Sequence, residues 1–139
     1  MENAHKSLEH VLFDQEGTKL ISVENNTLEE AHVMSALNKK NIHFYFCLEG
    51  SARFEFSPHY SREIQRVRNY FMYNPESDLP FSLKLSPKCR MVFLFISLEN
   101  LHQLFTHEPL PFLKAENINH KFYDEREIPP MLLVTLNQV

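Results

Sequence analysis

Alternation with a period of two runs through the middle of this chain, and it restricts the folds open to the sequence more than any other feature. In "IHFYFCL" Ile42, Phe44, Phe46 and Leu48 point one way, while His43, Tyr45, Cys47 and Glu49 point the other. A strand sends successive side chains to opposite faces, whereas a helix would scatter these residues around its axis, so the segment reads as a strand. In "EGSARFEF" Gly50 and Ser51 supply a turn and Ala52, Phe54 and Phe56 resume an apolar face, so the two runs predict an antiparallel hairpin. Three more runs follow: "RNYFMYN", then "LPFSLKLS" with Leu79, Phe81, Leu83 and Leu85 on one face, then "CRMVFLFIS". The last is apolar almost throughout, as a central strand is. Short strands roughly ten residues apart, separated by Pro, Ser and Asn turns, predict an all-β sandwich or barrel.

The period changes after Ser97. In "SLENLHQLF" Ser97 is an N-cap and Leu98, Leu101, Leu104 and Phe105 recur at helical spacing, which predicts a short helix near 98–106. "THEPLPFLKAENINH", with Pro109 and Pro111, reads as a loop. "EIPPMLLVTLNQV" puts two prolines ahead of Met131, Leu132, Leu133, Val134, Leu136 and Val139, the signature of a helix beginning near Pro130. Toward the N-terminus "HVLF" and "KLISVE" read as strands. The local signals disagree over "TLEEAHVMSAL", where the capping box Thr27-x-x-Glu30 could start a helix.

At 139 residues the chain is one domain's worth, and its 12 Phe and 5 Tyr suit a packed core. Gly17 and Gly50 are the only glycines, which excludes the Gly-rich phosphate loops of P-loop and dinucleotide-binding proteins. A net charge of −4 argues against a nucleic-acid surface. The local exception, "SREIQRVRNY" with Arg62, Arg66 and Arg68, reads as a solvated hairpin loop because no aromatic stacking ladder accompanies it. Cys47 and Cys89 sit in apolar, strand-like surroundings, and "MENAHKSLEH" has no apolar signal region, so a cytoplasmic chain with two buried thiols is expected. No apolar run approaches the ~20 residues that span a bilayer.

Eight histidines invite a metal, yet no His-x-His or His-Glu-x-x-His is present, and His102 and His107 fall on different faces of a helix. Neither cysteine lies at an exposed turn that would stabilise a thiolate. The acidic clusters Glu29–Glu30 and Asp124, Glu125, Glu127 sit in polar, solvated stretches. No catalytic residue, metal or cofactor is therefore assigned. What remains is the aromatic surface: Phe44, Phe46, Phe54, Phe56, Phe81, Phe93 and Phe95 would converge if the strands curl into a barrel. The plain reading is core. The functional reading is an apolar cavity for a small ligand, with His43 or Tyr45 as polar contacts if their face is the inner one, and alternation alone does not say which face that is.

Taken in order, "IHFYFCLEGSARFEFSP", "YFMYNPESDLPFSLKLSPKCRMVFLFISLENLHQLF" and "KFYDEREIPPMLLVTLNQV" resemble the N-terminal regulatory domain of AraC-type bacterial transcription regulators, over roughly residues 40–139. The resemblance implies a cupin-like antiparallel β-barrel or sandwich over 1–128, followed by one or two C-terminal helices. Residues 129–139 would begin a dimerisation helix, with Leu132, Leu133, Leu136 and Val139 at the pairing face of a homodimer. A helix-turn-helix DNA-binding domain would then lie outside this chain, and DNA would be met only through it. The implied function is effector sensing, dimerisation or both, without catalysis. Metal-binding cupins carry His-x-His, a Glu before a strand-ending Gly, and a later His. Setting Gly50 at that Gly puts His43 at the Glu position and Ala36 and Asn38 near the His-x-His, so the metal set is not matched. A stand-alone small-molecule binder, a metal-dependent cupin enzyme and a barrel that only dimerises are the alternatives.

Overall fold

The computed structural model describes residues 8–37, 40–73, 79–104 and 122–138. Among these residues ten strands form two antiparallel sheets. The larger has the order β1 (Glu9–Gln15), β2 (Thr18–Glu24), β9 (Arg90–Ser97), β4 (Asn41–Glu49), β7 (Arg68–Tyr73), β10 (Phe122–Glu127). The smaller has the order β3 (Ala31–Leu37), β8 (Leu79–Leu85), β5 (Ser51–Ser57), β6 (Tyr60–Gln65). Only two consecutive strand pairs are hairpins among the described residues, β1–β2 and β5–β6. Elsewhere the chain passes back and forth between sheets, which wraps the two layers round one core and gives the interleaved topology of a jelly roll.

That topology corrects the expected β4–β5 hairpin. β4 pairs with β7 and β9, and β5 pairs with β6 and β8, so the turn at Gly50 carries the chain from one sheet to the other. Gly50 has φ +76°, and a Cβ there would lie 2.7 Å from Ser86 Oγ and 2.9 Å from Cys89 Cα. Only a residue without a side chain makes this crossing without strain. Ser51 is then held by Ser86, whose Oγ accepts from Ser51 N at 3.0 Å and whose N donates to Ser51 O at 3.0 Å.

Two further expectations are corrected. The arginine stretch is strand rather than loop: Arg62 lies in β6, Arg66 in the turn, and Arg68 opens β7, where it pairs with Glu125 of β10 at 3.1 Å. Thr27 does not cap a helix, because residues 27–29 bend and Ala31–Leu37 runs as β3 against β8. Its hydroxyl instead donates to Asn25 Oδ1 at 2.7 Å, a local turn that competes with a helical start. Pairing along a whole strand outweighs one capping signal.

α1 (Leu98–Leu104) has the expected N-cap, with Asn100 N donating to Ser97 Oγ at 3.1 Å. The reading of 106–120 as a loop lies outside the described residues, as do Phe105 and His107. α2 (Pro130–Asn137) starts after Pro129, whose carbonyl accepts from Leu133 N at 2.9 Å.

Three apolar clusters follow. The inter-sheet core gathers Val23, Tyr45, Cys47, Phe54, Tyr70, Met72, Phe81, Leu83, Leu85, Met91 and Phe93. On the outer face of the larger sheet, α1 covers Ile42, Tyr73 and Ile96 through Leu101, and α2 covers Phe46, Leu48, Val92 and Ile128 through Leu136. Among the described residues no helix is long and apolar enough to cross a membrane.

Candidate functional site: the polar pair on the inner face of strand β4

His43 and Tyr45 lie two residues apart on β4 and so share a face. The structure places that face inside. Both side chains are buried, and His43 Nδ1 lies 2.9 Å from the Tyr45 hydroxyl. Ser35 Oγ of β3 stands 3.5 Å from the same hydroxyl across the gap between the sheets. Sequence reasoning missed Ser35 because it left residues 27–39 unassigned. The available signal was the alternation of Val33 and Ser35 with His32 and Met34.

Aromatic rings surround this pair. Tyr45 meets Phe93 edge-on with centroids 4.7 Å apart, Phe54 at 5.1 Å, Phe95 at 5.9 Å and Phe81 at 6.0 Å. The His43 ring lies 4.2 Å from that of Phe95. Phe56 extends the group through Phe81 at 5.3 Å. Phe54, Phe56, Phe81, Phe93 and Phe95 therefore converge round His43 and Tyr45, as expected. Phe44 and Phe46 do not join them. They stack on each other at 6.2 Å on the opposite face of β4, beneath the helices.

Burial sets the charge state of the pair. Desolvation lowers the His43 pKa from 6.5 to about 4, because the charged imidazolium loses its water. Desolvation also pushes the Tyr45 hydroxyl well above its usual value, opposed in part by the hydrogen bond with Ser35. Near neutral pH the interior thus offers an uncharged imidazole and an uncharged phenol. This arrangement can exchange hydrogen bonds with a buried polar group without the cost of an unpaired charge.

The two thiols meet at the far end of β4. Hydrogen bonding to Cys89, then burial, pushes the Cys47 thiol far above its ordinary value, and Cys47 Sγ also donates to Gly50 O at 3.5 Å. This is an un-ionised thiol, unlike a nucleophilic cysteine. The same end is closed by Asn25, fully buried, whose amide donates to Glu29 O at 2.8 Å and to Ser86 O at 3.0 Å. A surface pocket of about 500 Å³ opens beside it, lined by Leu8, Asn25, Leu28, Glu30 and His32 among others. β3 runs from this pocket at Ala31 to the polar pair at Ser35, about 13 Å at the rise of a strand.

The donor set does not suit a metal. His43 stands with a phenol and a serine, and among the described residues no three His, Cys, Asp or Glu side chains come together.

The fold is cupin-like. No protein-family model matches the chain, and no curated protein matches it in sequence. Among solved structures, apo ToxT from Vibrio cholerae superposes with a TM-score of 0.58 at 13% identity, over 90% of this chain and 47% of that one. Wild-type ToxT with a bound unsaturated fatty acid gives 0.57 at 12% identity, over 91% and 47%. The Schizosaccharomyces pombe Cnp3 cupin domain gives 0.49 at 15% identity, over 76% and 71%. The chain thus spans about half the length of the ToxT chains it matches, and the likeness is one of fold.

α2 resolves the expected pairing residues into different places. Leu136 is buried and Leu133 is partly buried against the chain's own larger sheet, Leu132 is 36% exposed, and Val139 lies outside the described residues. Met131 and Val134 are the other exposed apolar residues of the helix.

Proposed function

We propose that this chain is a non-catalytic, cytoplasmic effector-sensing domain of an AraC-type transcription regulator, which acts on DNA through a further domain of a longer protein. The observation that carries the reading is the construction of β4. Its inner side packs His43 and Tyr45 among phenylalanine rings, and its outer side seats α1 and α2 through Ile42, Phe44, Phe46 and Leu48. A molecule that reorganises the inner side moves the seat of the helices, and a helix that leads onward can pass that displacement to an attached unit. An effector switches such a protein only through different affinities for the two arrangements.

A small, mainly apolar molecule with one hydrogen-bonding end would suit this interior if the rings part to admit it, because its polar atoms are few, central and uncharged. An unsaturated fatty acid, the class bound by ToxT of like fold, is the first probe to try. Calorimetric titration of such acids into the protein, with Tyr45→Phe and His43→Gln beside it, tests the reading. Binding that falls about tenfold in either variant supports it, as the loss of one buried hydrogen bond would give. A panel of small amphipathic molecules that fails to bind at all would sink it.

The ring packing itself favours a second reading. Rings at centroid separations of 4.7 to 6.0 Å round Tyr45 are those of a filled core, and a filled barrel would act as a scaffold alone. Against a cupin enzyme, elemental analysis of purified protein is expected to find no stoichiometric iron, manganese, zinc or nickel.

A further inference from the structure

β1 is an edge strand that buries none of its side chains in its own subunit. All seven of its residues are exposed, and three consecutive apolar side chains lie at its centre: Val11 at 56% exposure, Leu12 at 42% and Phe13 at 42%. One edge pairs with β2, and among the described residues no strand covers the other. Two other edges are defended in the usual way. β10 carries Asp124, Glu125, Arg126 and Glu127, and β6 carries Arg62 and Glu63. On the edge strand β3, Met34 is the one exposed large apolar residue among the described side chains. Among the described residues only β1 combines an open edge with an apolar centre flanked by charge.

We propose that β1 is the docking strand for a second copy of this chain, paired antiparallel to itself about a two-fold axis at Leu12. The strand reads Glu9, His10, Val11, Leu12, Phe13, Asp14, Gln15 and is self-complementary in that register alone. Leu12 meets Leu12, Val11 meets Phe13, His10 meets Asp14, and Glu9 meets Gln15. Sliding by one residue in either direction sets Glu9 against Asp14 or against Glu16, like charges directly opposed, which is destabilising. The two-fold operator doubles each favourable pair, as in any isologous interface. The register slip between Val11 and Phe13 makes Leu12 a bulge against β2. An edge bulge ordinarily discourages pairing. Here it falls on the axis, so both copies carry it at the same level and the irregularities coincide. The two larger sheets then join into one continuous sheet across the dimer. A single seven-residue ribbon buries less than the ~1,200–2,000 Å² of a firm interface, so the dimer is a reversible one.

This surface goes beyond the effector reading and does not depend on it. Sedimentation velocity of the whole chain from micromolar to near-millimolar concentration is the test, with Leu12→Lys on β1 and Leu132→Lys on α2. The expected result is a concentration-dependent dimer whose Kd rises at least tenfold in Leu12→Lys, where two ammonium groups face each other, and is unchanged in Leu132→Lys. A cross-link gives the register independently. Leu12→Cys should form an intersubunit disulfide in a glutathione redox buffer, and Glu9→Cys, which faces Gln15, should not. A monomer throughout, a dimer indifferent to Leu12→Lys, a dimer lost with Leu132→Lys, or cross-linking at Glu9 rather than Leu12 each overturns the proposal. If Leu12→Lys fails to fold, the cysteine pair decides.

Discussion

At the Gly50 end of the barrel the buried polar groups are knitted round Asn25, whereas at the other end His43 and Tyr45 bond to each other among phenylalanine rings. The Asn25 amide donates to Glu29 O, Ser86 O and Leu85 O, and its Oδ1 accepts from Thr27 N and Thr27 Oγ1. Its own N–H donates to Cys89 O at 2.9 Å. These bonds tie two sheet crossings together, β2 to β3 and β8 to β9, and most of them run to backbone. The contrast teaches that one small barrel buries polar groups in two ways: bonded to backbone at one end, and bonded between side chains at the other.

The largest expected effect breaks the closed end. Gly50→Ala forces a side chain into the left-handed region and against the backbone of Cys89, and should cost about 4 kcal/mol, read from urea unfolding. Next comes the His43 end, through pH. The folded-state pKa of His43, about 4, lies below the unfolded 6.5, so between these values the unfolded chain binds a proton that the folded chain refuses. Stability from this source is whole above pH 6.5, falls as pH drops through the window, and levels off below pH 4, a loss of about 3 kcal/mol. Urea midpoints at several pH values check this, and His43→Gln should flatten the slope. Asn25→Ala leaves buried carbonyls unpaired and should cost about 2 kcal/mol without changing effector binding. Tyr45→Phe keeps the ring packing and removes one hydroxyl, so it should cost only about 1 kcal/mol in unfolding while weakening any ligand held at that end.

Much of the strand pattern was legible because each alternating run has its own period, whatever it packs against. The inner face of β4 was not. His43, Tyr45 and Cys47 look like the solvent side beside Ile42, Phe44, Phe46 and Leu48, yet both sides are buried, one by the second sheet and one by helices. Alternation separates two faces and cannot rank them when both are covered. The Gly50 turn was misread as a hairpin because a two-residue turn looks the same locally whether the next strand pairs with the last or leaves for another sheet. What decides is Ser86 and Cys89, far along the chain. At the site, the five phenylalanines that converge were readable from their common face once β5, β8 and β9 were strands. Ser35 was hidden by the helical signal at Thr27, which the pairing of β3 with β8 overrides.

The pairing of β2 with β9 has a consequence during synthesis. Thr18 pairs with Ile96, and at ~5–20 residues per second its partner leaves the ribosome roughly 4 to 16 s later. Throughout that interval Ile21 and Val23 lack the strand that buries them, and β4 likewise waits for Phe93 and Phe95. The newborn chain therefore carries these apolar segments unprotected until Arg90–Ser97 has emerged, so the speed of translation through residues 50 to 90 bears on its yield.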